Sequence, residues 1–90
     1  MSHRNEPVGD DVAKRLARIA GHAASLQRIW DEGRECEEML TQISAVRGAL
    51  AQVSRVILEH HIEHCVAEAI EPGRREDAVR DLKKAVARLL

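Results

Sequence analysis

The sequence predicts an all-α chain of three helices, the middle one much longer than its neighbours. Three observations carry that expectation. Apolar residues recur every three or four positions through most of the 90 residues, a period that fits helices and not strands. The recurrence breaks at Asp31-Glu32-Gly33 and at Glu71-Pro72-Gly73, where glycine and proline punctuate the chain. No strand-like alternation, internal repeat or low-complexity run is present.

The elements follow in order. Residues 1–9 read as a flexible N-terminal arm, and Asp10 and Asp11 offer carboxylates that can cap a first helix. Its apolar stripe runs Val12, Leu16, Ile19, Ala23, Leu26, Trp30, and Gly33 can take the left-handed conformation that ends helices. The second stripe is Met39, Ile43, Val46, Leu50, Val53, Ile57, and the same face continues into His61 and Cys65 until about Ile70. The third helix runs from about Arg75 to Arg88, with Ala78, Leu82, Ala85 or Val86, and Leu89 facing inward. Residues 10–90 thus form one helical domain. Gly21 and Gly48 sit inside helices, where each costs about 1 kcal/mol relative to alanine; close helix approach and simple tolerance are the two explanations.

The length of the middle helix implies partners. Roughly 35 residues at about 1.5 Å each make a rod of about 50 Å. A globule of this chain length is only about 25–30 Å across, so the short neighbouring helices cannot cover the rod. Antiparallel dimers forming a four-helix bundle, or a higher assembly of them, satisfy it.

Composition narrows the class. Hydrophobic residues make up 44% of the chain but Trp30 is the one aromatic, and the net charge is −1, so no global polyanion-binding signature exists. Charges interrupt the apolar stretches every few residues, which excludes a transmembrane span, and the first residues lack the apolar core of a signal peptide. The expected compartment is the cytoplasm, where two cysteines serve as ligands or redox sensors more readily than as a structural disulfide.

Those cysteines are Cys36 and Cys65, and His61 precedes the second by one helical turn. Residues four apart share a helix face, so His61 and Cys65 can address one atom. Two thiolates and an imidazole form a soft ligand set suited to Cu(I) or another thiophilic metal. Cys36 and Cys65 are about 40 Å apart along one helix, so a single chain cannot supply all three. In an antiparallel dimer, Cys36 of one chain meets His61 and Cys65 of the other. The competing reading makes Cys36 a small residue at a helix start, His61 a solvated histidine and Cys65 a buried hydrophobe. His60 and His64 form a second pair that reads as solvated, His22 reads as structural or exposed, and His3 reads as part of a free polar tail, with a fourth ligand as the alternative.

The segments Arg15-Leu-Ala-Arg-Ile-Ala-Gly-His22, Cys36, Leu40-Thr-Gln-Ile-Ser-Ala-Val-Arg47 and Leu58-Glu-His-His-Ile-Glu-His-Cys-Val-Ala-Glu-Ala-Ile70 together resemble the CsoR/RcnR/FrmR family of bacterial transcriptional repressors. The likeness covers residues 12–90. It implies an all-α antiparallel dimer that pairs into a homotetramer, and a repressor whose apo form binds double-stranded operator DNA and releases it on binding its effector. The Cys36, His61, Cys65 set resembles the copper-sensing branch. The persulfide-sensing branch lacks the histidine, and the formaldehyde branch lacks the last cysteine and uses an N-terminal proline, where this chain has Ser2. The nickel and cobalt branches add an N-terminal histidine, near which His3 falls. The expected effector is therefore Cu(I), with Ni(II) or Co(II) held with His3, or a thiol or persulfide signal, as alternatives. Glu35 and Asp81 correspond to outer-shell positions of the copper sensors: Asp81 is suited to hold the free ring N–H of His61, whereas Glu35 cannot reproduce the phenol found there.

Local charge gives the candidate DNA face. Arg4, Lys14, Arg15 and Arg18 cluster at the start of the chain, and Arg47 and Arg55 add basic points on the second helix. By themselves they form an ordinary solvated face; Arg15 and Arg55 resemble family positions implicated in DNA contact. With no phosphate loop and no oriented base, the chain is not expected to be an enzyme. Metal storage without DNA binding is the reading from another class.

Overall fold

The computed structural model describes residues 7–89 and contains three α-helices: α1 (Pro7–Asp31), α2 (Cys36–Ile70) and α3 (Arg75–Leu89). No strand occurs among the described residues. The chain divides into two compact units within α2, between Val53 and Ser54.

In the first unit, α1 and the leading half of α2 form an antiparallel hairpin. The helix starts at Pro7, earlier than the Asp10 expected from sequence, so residues 7–9 belong to its first turn and not to an arm. Proline is at home there because its missing N–H would have no intrahelical partner. Asp10 lies in that turn, favourably placed for the positive end of the helix dipole. Asp11 is instead paired with Arg15, with Arg15 Nε donating to Asp11 Oδ2 at 2.9 Å.

The end of α1 is built around Gly33. Its φ of 71° lets the Gly33 N–H reach Trp30 O at 3.0 Å and the Arg34 N–H reach Ile29 O at 3.4 Å, the paired bonds of a Schellman motif. A side chain there pays about 1–2 kcal/mol for the left-handed conformation. Gly33→Ala is therefore expected to lower unfolding stability by that amount, read as a shifted midpoint in a denaturant titration.

The inner face of α1 keeps Val12, Ile19 and Leu26 of the apolar stripe, whereas Leu16, Ala23 and Trp30 give way to Arg15, His22 and Ile29. Ile29 is buried, whereas Trp30 is 66% exposed and Leu16 43% exposed. Val12, Arg15, Ile19, His22, Leu26 and Ile29 form the shielded row. Two of these are polar, and His22 Nε2 lies 2.7 Å from Gln42 Oε1 across the hairpin, the ring N–H donating. The Leu40, Ile43 and Leu50 side chains of α2 stay substantially exposed in the single chain. A Cβ placed on Gly21 or Gly48 meets nothing within 4 Å, so close approach inside the chain does not explain either glycine.

In the second unit, the trailing half of α2 returns through Glu71–Arg74 into α3. Gly73 has φ 76°, as the Pro-Gly break suggested. The Ala78 N–H donates to Arg74 O at 3.0 Å to open α3. Among the described residues of this unit, Cys65 and Ala78 are the buried side chains, at 4% and 1% exposure. Ala85 is partly shielded and Val86 is exposed, which settles the inner edge of α3. Ile57, Val66, Ile70 and Val79 remain exposed.

Candidate metal centre

The helical spacing that puts His61 and Cys65 on one face is realised in α2. Cys65 Sγ lies 3.6 Å from His61 Nε2. A thiolate and an imidazole nitrogen bound to one ion at about 2.3 Å and 2.0–2.1 Å, with an angle of roughly 110–120°, are separated by about 3.6–3.8 Å. The two donors thus already stand at the separation that a shared metal imposes. The donor set fits.

Burial pushes the Cys65 thiol above its ordinary pKa, and the negative charges of Asp81 and Glu68 push it the same way. Removing water disfavours the thiolate, and nearby carboxylates repel it. Asp81, on α3, is thereby placed within electrostatic reach of Cys65. Glu68 is largely shielded and lies 3.7 Å from Arg74 across the turn.

Cys36 is the first residue of α2 and is exposed. Glu35 precedes it, also exposed, and its carbonyl accepts the Met39 N–H at 3.1 Å. Among the described residues, no group of three or more His, Cys, Asp or Glu side chains converges as a metal site. The pair His61 and Cys65 is what one chain brings together. His3 and Arg4 lie outside the described residues.

The basic candidates occupy α1 and α2. Lys14, Arg18, Arg47 and Arg55 are exposed, and Arg15 is half-buried. Arg15 and Arg18 line a groove of about 300 Å³ in the first unit, together with Ile19, His22, Val46 and Gln52.

Residues 9–88 match the family model of the metal-sensitive transcriptional repressors. The chain belongs to that family. It is 38% identical over 82 residues to the copper-sensing transcriptional repressor CsoR of Bacillus subtilis, covering 91% of this chain and 81% of that one. Among solved structures it is similar to the copper-sensing repressor CsoR with Cu(I) from Geobacillus thermodenitrificans, at 37% identity and a TM-score of 0.85, covering 99% of this chain and 93% of that one. It is equally similar to the nickel-responsive transcriptional regulator InrS, at 40% identity and a TM-score of 0.84, covering 90% and 91%. The fold is thus shared by a copper and a nickel sensor and does not choose between them.

By its family this repressor is a transcriptional regulator and not an enzyme. No helix among the described residues is long and apolar enough to cross a membrane. His22, expected to be structural or exposed, is structural: it ties α1 to α2 through Gln42. His60 and His64, expected to be solvated, are half-buried and face one another.

Proposed function

We propose that this repressor senses Cu(I) in the cytoplasm as a homodimer or homotetramer, and that Cys36 of one protomer completes a site with His61 and Cys65 of its partner. The His61–Cys65 pair carries the reading: a buried thiol and an imidazole are set 3.6 Å apart, and no third ligand from the same chain joins them among the described residues. The many apolar side chains left exposed on α2, Leu40 and Val66 among them, are what an antiparallel dimer would cover. Bound Cu(I) would supply a link between the soft ligands of two chains.

The residues perform the rest. Cys65 holds its proton until its thiolate is needed, so binding releases a proton. His61 offers a neutral ring nitrogen, and Asp81 is the group suited to accept its other ring N–H and orient it. Glu35 sits beside Cys36 as a carboxylate in the outer shell. In the apo state Lys14, Arg15, Arg18, Arg47 and Arg55, with Arg4, neutralise operator phosphates. Drawing Cys36 onto the partner's end of α2 shifts the helices that carry those charges and takes them out of register with the duplex. Linkage then requires DNA to weaken metal binding by the same factor.

The nickel reading remains as the specific rival, supported by the likeness to InrS and by His3, whose imidazole would extend a trigonal S2N set towards four-coordination. Titrating Cu(I) and Ni(II) separately into the protein–operator complex distinguishes them. Release is expected at one equivalent of Cu(I) per chain, with Ni(II) ineffective at that ratio. Release by Ni(II) alone would overturn the copper assignment.

A further inference from the structure

We infer that His60 and His64 form a second metal site, one that takes a borderline divalent cation such as Co(II), Ni(II) or Zn(II), separate from the soft His61/Cys65 pair. The two Nε2 atoms stand 3.1 Å apart. Their rings meet edge to face, with centroids 4.6 Å apart and an interplanar angle of 71°. Both side chains are half-buried on α2, so their positions are held by the surrounding packing.

The distance is what makes the pair a chelate. Two imidazole nitrogens bound to one ion at about 2.0–2.1 Å, with an angle of roughly 90–110°, stand about 2.9–3.4 Å apart. The observed 3.1 Å lies inside that range. Histidines at i and i+4 on one helical face are also the arrangement by which helices hold zinc. Each ring can keep its single proton on Nδ1 and present the Nε2 lone pair. In the resting pair one Nε2–H donates to the other Nε2, and cation binding requires that ring to change tautomer, its proton moving from Nε2 to Nδ1.

The ligand chemistry separates this pair from its neighbour. Imidazole alone suits zinc, nickel and cobalt, whereas thiolates select Cu(I). His60 precedes His61 and His64 precedes Cys65, and successive residues of a helix point about 100° apart. One turn of α2 therefore presents a nitrogen pair and a sulfur–nitrogen pair on adjoining faces. Two protein ligands leave the remaining coordination positions of a divalent ion to solvent.

The test is an anaerobic Co(II) titration of the full chain, followed by its visible spectrum and by calorimetry. An equivalent bound without thiolate-to-Co(II) charge-transfer absorption is expected for each chain. His60→Ala/His64→Ala is expected to lose that equivalent and keep any thiolate-bound one. Persistence of the nitrogen-only equivalent in the double variant, or its absence from the wild type, overturns the inference. Alanine is a strong helix former, and circular dichroism checks that α2 survives. If helicity falls, His64→Gln, which preserves side-chain bulk, carries the same expectation. Failure of the Cys/His/Cys reading would instead remove the charge-transfer band and leave the nitrogen-only equivalent in place.

Discussion

Replacing Cys36 with alanine is expected to leave operator binding intact and to abolish its response to Cu(I). The side chain is exposed at the first position of α2, so its loss opens no cavity in the chain and alanine suits the helix. Coupling between two ligands of an allosteric protein is typically about 1–3 kcal/mol, or roughly 5–150-fold in affinity. Fluorescence anisotropy of labelled operator should therefore show a weakening of that order when the wild type takes up Cu(I), and none in Cys36→Ala. His61→Ala should behave alike, since it removes a ligand without touching the basic face. Loss of DNA binding by both apo variants would assign these residues a structural role.

Arg15→Ala is expected to weaken DNA binding while barely changing fold stability. Its partner in the chain is Asp11, at 2.9 Å on a solvated surface, and exposed pairs of this kind contribute about 0–1 kcal/mol. Each phosphate contact adds about 0.9 to the slope of log K against log salt, so at 0.1 M salt one lost contact costs roughly eightfold in affinity. Symmetry repeats the loss in every protomer that touches the duplex. The salt slope of Arg15→Ala should fall by about 0.9 or a multiple of it, with the thermal midpoint unchanged. An unaltered slope would leave Arg15 with its Asp11 pair alone and no part in DNA binding.

The helix ends were legible because Gly33 and Pro72-Gly73 leave no other reading. The start of α1 was not, since Pro7-Val8-Gly9 resembles an arm unless proline is recognised as a first helical residue. On the inner face of α1, Val12, Ile19 and Leu26 were placed correctly, and the alternate positions were missed by one residue for a physical reason. Arg15 and His22 occupy shielded places, and an apolar count passes over polar residues to reach Leu16 and Trp30. His61 and Cys65 were visible as partners from spacing alone. Their 3.6 Å separation follows from the side-chain conformations within α2, whereas the electrostatic reach of Asp81 to Cys65 required the α2–α3 packing. His60 and His64 had the same spacing, yet composition cannot distinguish two solvated histidines from two that face each other.

The most direct measurement of the shared site is complementation between inactive chains. Cys36→Ala and His61→Ala each lack one ligand, so neither homodimer holds a complete Cys/His/Cys set. A mixed antiparallel dimer regains one complete site, with Cys36 from the His61→Ala chain and both other ligands from the Cys36→Ala chain. If the two are refolded together with random pairing, about half of the dimers are mixed. High-affinity Cu(I) capacity should then recover to about a quarter of the wild-type value, against none for the variants refolded apart. Equal, unrecovered capacity in both preparations would contradict a metal site built from two chains.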